Sequence, residues 1–145
     1  MTARQGFAAL DAAVERRLLQ AAVALGALLP ITAGFSGVVS GTAMIGTDGV
    51  EPALDSHYRY LSGLLFAIGL GFWSTVPHIE TRAVRFRLLT FLVLVGGLAR
   101  AWSLLRAGVP AAPMLGALAM ELLVTPLLCL WQARVAQRTA GAASA

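Results

Sequence analysis

Four ionisable residues lie within or at the edge of apolar runs: Asp55, Arg59, Arg100 and Glu121. Asp55 and Arg59 have opposite charge and are four residues apart, the spacing of neighbours on one helical face. Arg100 lies inside the apolar run from Phe86 to Ala107, and Glu121 inside the run from Pro110 to Trp131. Such residues can form ion pairs. They can also hold the head of an anionic lipid or small acid, or carry a proton if Glu121 titrates. A charge at the centre of a bilayer costs about 2.5–3.5 kcal/mol, so Arg100 and Glu121 each need a partner or a task.

Other reactive residue types form no chemical pattern. His57 and His78 are expected on opposite sides of a membrane, and neither has a metal-binding spacing. The single cysteine, Cys129, lies in an apolar run and excludes an intramolecular disulfide. Gly69-Leu70-Gly71 sits within an apolar stretch without a phosphate-loop context, and no nucleophile elbow or HExxH pattern is present. No catalytic residue, metal or cofactor is therefore expected.

The elements that must position the four charges are membrane helices. Of the 145 residues, 58% are hydrophobic and only 12% charged. Soluble domains carry about 25% charged residues, so this chain cannot build a water-facing surface. Its length allows one domain without a separate catalytic module. A hydrocarbon core about 30 Å thick needs about 20 apolar helical residues. Four stretches meet or approach that: Leu18 to Ser40, Tyr60 to Val76, Phe86 to Ala107 and Pro110 to Trp131. The first is longer than the apolar core of a cleaved signal peptide and is expected to remain as a helix. The expected fold is an all-α, four-helix transmembrane bundle. Residues 1–17 are expected to form an amphipathic interfacial helix, with Phe7, Leu10 and Val14 on one face. The transmembrane domain spans 18–135, and 136–145 form an Ala/Gly/Ser-rich flexible tail. The longest loop, about Gly41 to Ser56, covers the outer end.

All eleven basic residues are arginine. They do not form one continuous patch, so nucleic acid is not an expected partner. Arg4, Arg16, Arg17, Arg82, Arg85, Arg87, Arg134 and Arg138 flank one side of the spans, while Asp48, Glu51 and Asp55 mark the other. Cytoplasmic loops collect arginine, so both termini are expected in the cytoplasm of a bacterial inner membrane. Trp73, Trp102 and Trp131 lie near span ends, as aromatic belts do.

Small residues mark where helices in lipid approach closely. One ridge runs Asp55, Arg59, Gly63, Ala67, Gly71; Gly96 and Gly97 share the face of Arg100; Ala117 and Thr125 share that of Glu121; and Gly37 and Gly41 continue a ladder from Ala33. Arg100 lies about 10 Å, and Glu121 about 16 Å, from the outer ends of their helices at 1.5 Å per residue. An arginine side chain bridges that difference. With Asp55 and Arg59 entering from the same side, the four charges are expected to form one polar cluster. It would be structural, or a binding or proton site. Pro30 and Pro126 fall inside spans and are expected to kink them.

The run from Leu54 to Gly63, with its Asp-Ser pair followed by Arg-Tyr, resembles the second span of a bacterial membrane family, domain-of-unknown-function family 4345. Gly96-Gly97-Leu98-Ala99-Arg100 resembles its third-span motif, and Glu121 with Pro126 its fourth. The resemblance covers most of the chain after Leu18. It implies a four-helix membrane fold and groups Asp55, Arg59, Arg100 and Glu121, but it implies no activity. The outer turn departs from the family, which often has arginine directly after the glycine where this chain has Gly108-Val109. Small size and several small-residue faces lead to the expectation of a non-catalytic accessory or assembly subunit that packs on other membrane proteins or on itself. The alternative is a binding or transport protein for a lipid or small anionic molecule.

Overall fold

A computed structural model describes the backbone of residues 3–46 and 51–143 and the side chains of residues 11–46 and 51–141. The protein is all-α, and no strand occurs among the described residues. Helix α1 spans Ala3–Ser40 and is followed by a 3-10 turn at Gly41–Ile45. Helix α2 spans Pro52–Trp73, and a second 3-10 turn occupies Val76–His78. Helix α3 spans Ala83–Ala107. Helix α4, Ala112–Ala119, runs through a π-helical turn at Met120–Val124 into α5, Thr125–Ala143.

Four of these helical stretches are long and apolar enough to cross a membrane, which makes the chain compatible with a multi-pass membrane protein. The shortest has 25 residues, about 37 Å at 1.5 Å per residue, against a hydrocarbon core of about 30 Å. Large apolar side chains lie exposed along them, among them Phe91, Leu105, Leu127 and Leu130.

Three boundaries differ from the sequence reading. Residues 3–17 are not a separate helix, because α1 continues unbroken through Arg16 and Arg17; neither Gly nor Pro stands between Phe7 and Ala24 to stop it. The side chains of Phe7 and Leu10 lie outside the described residues. The tail is helical to Ala143, since its alanines outweigh one glycine in helix propensity. The segment read as a loop from Gly41 to Ser56 is ordered at both ends, with Pro52 opening α2 in its first turn. Asp48 lies outside the described residues.

The contacts divide the chain into two compact units, one of Met1–Gln20 with Pro77–Ala145 and one of Ala21–Val76. The second unit is an antiparallel hairpin of α1 and α2. Gly34 meets the backbone of Phe66 and Ser62, so closely that an added Cβ would stand 2.5 Å from the Phe66 nitrogen. Gly69 returns the arrangement against Ile31 and Pro30. The Phe35 and Phe66 rings pack with centroids 6.0 Å apart. In the first unit α3 packs on α5 and on the π turn. Ile79, Phe86, Gln132 and Val135 are each at most 1% exposed there. The buried Gln132 amide donates to the Ile79 carbonyl at 2.8 Å, which fixes the α2–α3 connection against α5.

Candidate functional site

The hairpin unit ends in a polar knot built from Asp55 and Arg59. Arg59 Nε donates to Asp55 Oδ2 at 2.6 Å, one helical turn away on α2. Arg59 Nη1 donates to the carbonyls of Val38 and Val39 at 2.6 and 2.9 Å. Those oxygens belong to the last turn of α1, which has no intrahelical donors and carries the negative end of the helix dipole. Asp55 Oδ1 accepts from the Thr42 backbone N–H at 2.9 Å and from its hydroxyl at 3.3 Å. The carboxylate thus holds the start of the 3-10 turn, and the guanidinium caps the helix before it. Gly41 has φ +58°, and an added Cβ there would collide with Asp55 and Arg59.

Arg100 and Glu121 meet in the first unit. Arg100 Nε donates to Glu121 Oε2 and Nη2 to Oε1, both at 3.0 Å, a two-pronged pairing of parallel bonds. Arg100 Nη1 reaches the Met114 sulfur at 3.1 Å. Gly97 brings the two helices together: an added Cβ would stand 2.9 Å from Glu121 Cβ and 2.7 Å from Leu122 Cδ2. Glu121 itself belongs to the π turn. Pro126 has no N–H to give the Leu122 carbonyl, and its ring would press on that oxygen in a regular helix. The helix widens instead, and Met120 O accepts both the Thr125 backbone N–H and the Thr125 hydroxyl, the latter at 2.9 Å. The kink expected at Pro126 therefore takes the form of a π turn that carries the acidic residue.

Beside this pair, an open cavity of about 310 Å³ lies at the α3–α4 turn. Arg100, Ser103, Leu104, Gly108, Val109 and Met114 line it. Arg106, in the last turn of α3, stacks over Trp102 with the guanidinium carbon 6.0 Å from the ring centroid.

A third polar network lies at the other end of the same unit. Glu15 accepts from Arg134 Nε at 3.0 Å, Arg138 Nη1 at 2.7 Å and the Trp131 indole at 3.3 Å. Arg16 pairs with Glu80 at 3.2 Å. These contacts tie the beginning of α1 to α5 and to the α2–α3 connection.

The structure thus brings together Asp55 with Arg59 and Arg100 with Glu121, each pair within its own unit. Of the expected packing residues, Gly37 lies against Ser62 and Tyr58, Gly41 against the Asp55–Arg59 pair and Gly97 against Glu121. Gly63 meets only Val38 at 3.8 Å, Gly96 has open space beside it, Ala67 is exposed and Gly71 half-buried. The sequence reading missed the Arg59 caps, Thr42, the Met114 contact, the cavity and the Glu15 network. Only the Pro126 position carried a signal for the π turn. Among the described residues, no group of three His, Cys, Asp or Glu side chains could hold a metal ion.

No curated protein and no solved structure matches the chain. The family model described as "Domain of unknown function (DUF4345)" matches residues 18–132, a stretch containing Asp55, Arg59, Arg100 and Glu121. By that match, over most of its length, the chain belongs to the DUF4345 family.

Proposed function

We propose that this protein is a non-catalytic accessory or assembly subunit of a membrane protein complex. In this reading it sits as a four-helix bundle in a bacterial inner membrane, with both termini in the cytoplasm. Support for the orientation is the arginine excess on the terminal side of the spans. Support for a structural rather than catalytic use of the charges is that each guanidinium already answers a carboxylate.

The observation that carries the proposal is the pair Gly96 and Gly97. Gly97 is used inside the chain, against Glu121 and Leu122. Gly96, one position around α3, has nothing within 4 Å of an added Cβ, and neither has Gly116 on α4. Glycine costs a helix about 1 kcal/mol relative to alanine. A glycine facing open space regains that only if another helix, from a partner or a second copy, approaches its backbone.

Extraction of the tagged protein from native membranes in mild detergent tests this, with Gly96→Leu alongside the parent. The parent is expected to bring a stoichiometric membrane protein or to self-associate. Gly96→Leu is expected to lose that partner while the isolated chain melts no lower than the parent. A parent protein that emerges alone and monomeric would overturn the proposal.

A further inference from the structure

We propose that the outer edge of Arg100 is a binding site for a carboxylate or phosphate group, entering the cavity at the α3–α4 turn. The argument starts from the fork of the guanidinium. It has five N–H donors in one plane and presents more than one edge on which two donors lie parallel. Glu121 occupies the edge formed by Nε and Nη2. On the edge formed by Nη1 and Nη2, the contact made by Nη1 is the Met114 sulfur, a weak acceptor. A thioether gives a guanidinium far less than an oxygen anion would, so this edge is under-used. It borders the cavity that Arg100 and Met114 both line.

Charge and shape around that edge agree with an anion attached to an apolar body. Arg106 lies six residues beyond Arg100 on α3, about 9 Å along the axis at 1.5 Å per residue. The outer part of α3 and α4, from Arg100 to Glu121, contains these two arginines and the single acid Glu121, a formal surplus of one positive charge. Ser103, one turn beyond Arg100, adds a hydroxyl to the lining, and Leu104, Val109 and Met114 make the rest apolar. The volume of about 310 Å³ stands at the lower end of small-molecule sites. It accommodates a head group and the first carbons of one chain, and the cavity is open, so the remainder of the ligand can lie outside. Met114 then moves off Nη1 while Glu121 keeps its own edge. The Arg100–Glu121 pair becomes a fixed base for the ligand rather than its competitor. The recognised group is an oxygen anion, carried either by a single-chain amphiphile or by a small soluble acid.

Equilibrium binding to the full-length protein in neutral detergent tests the assignment. The probes are oleate, dodecyl phosphate, acetate and inorganic phosphate, with methyl oleate and dodecanol as uncharged controls. Native mass spectrometry gives the stoichiometry and affinity. Val109→Trp fills the cavity from an exposed position and leaves the Arg100–Glu121 pair untouched. Arg100→Gln combined with Glu121→Gln removes the charges without leaving an unpaired ion.

One equivalent of an anionic probe is expected to bind, at least ten-fold more weakly to Val109→Trp and to the double variant. Preference for oleate or dodecyl phosphate over acetate and inorganic phosphate assigns the site to an amphiphile. Equal binding of the small anions assigns it to a soluble acid. Three results would overturn the proposal: no anionic probe bound by the parent, uncharged controls bound equally well, or Val109→Trp binding like the parent with an unchanged melting temperature.

Discussion

Replacing Gly41 by alanine should unfasten the hairpin of α1 and α2, and its cost can be set out from the geometry. Gly41 sits at φ +58°, a conformation that costs a residue with a Cβ about 1–2 kcal/mol. The new Cβ would also fall on Asp55 and within 2.5 Å of Arg59 Nη2. Those two groups are bonded to each other and to Thr42, Val38 and Val39, so they must retreat together. Hydrogen bonds to charged groups contribute about 1.5–3 kcal/mol each. The Asp55 and Arg59 side chains are 32% and 41% exposed, so water and lipid heads replace part of that loss. A loss of about 2 kcal/mol from the knot is reasonable at that exposure. The sum is then about 3–4 kcal/mol. Gly46→Ala supplies the control. It has φ +73° with nothing within 4 Å, so only the conformational cost of about 1–2 kcal/mol applies. Thermal unfolding in detergent should show Gly41→Ala melting about 4–8 °C below Gly46→Ala, for a difference of about 2 kcal/mol at roughly 2–4 °C per kcal/mol. In an Asp55→Ala background the difference should shrink, because part of the knot is already gone. Equal shifts for the two glycines would show that the Asp55–Arg59 knot is not disturbed by a side chain at position 41.

Further outcomes are expected elsewhere in the molecule. Arg100→Leu should strand Glu121 and lower stability by about 2.5–3.5 kcal/mol, and adding Glu121→Leu should restore most of it. A single variant as stable as the parent in denaturant titration would rule out the pairing. Gly97→Ala should cost about 1–3 kcal/mol by overpacking against Glu121 and Leu122, whereas Gly96→Ala should stabilise the isolated protein by up to about 1 kcal/mol. Glu15→Gln should hasten amide exchange in the last turns of α5 and shift melting by less than about 1 kcal/mol, since Arg134 and Arg138 are 60% and 49% exposed. Protection of those turns equal to the parent's would exclude Glu15 as their anchor. A reporter fused to either terminus should read cytoplasmic, and a periplasmic C-terminus would break the four-span reading.

The apolar helices were legible because their signal is long and simple. Runs of Leu, Val and Ala with few charges can be counted, and the charges that interrupt them stand out against that background. The same contrast made the Asp55–Arg59 and Arg100–Glu121 pairs readable, the first from helical spacing and the second from depth along two adjacent spans. Helix ends were less legible. Alanine continues a helix into a tail whose composition otherwise reads as loose, and nothing at Arg16-Arg17 stops α1. Contacts to backbone carbonyls were invisible, because Val38 and Val39 offer Arg59 only main-chain oxygen, which any residue would supply. The Glu15 network joins residues more than 100 positions apart, and no local pattern announces such a meeting. Gly96 and Gly97 show the same limit. Both are small residues in one helix, and only the position of Glu121 and Leu122 decides which of them is used.

The π turn at Met120–Val124 has a consequence for how this segment can vary. It amounts to one residue more than a regular helix needs between α4 and α5. The wider turn takes up that residue locally, because about five π-helical residues rotate the chain as far as about four α-helical ones. The side chains of α4 and α5 therefore keep the faces they would show on one regular helix, and the residues inside the turn, Glu121 among them, are the ones re-aimed. Deleting one residue of the stretch would leave Met114 at the cavity mouth, yet it would set the Pro126 ring back against the carbonyl four positions before it. The extra residue and the proline constrain each other, so a change of length here should be tolerated only together with replacement of Pro126.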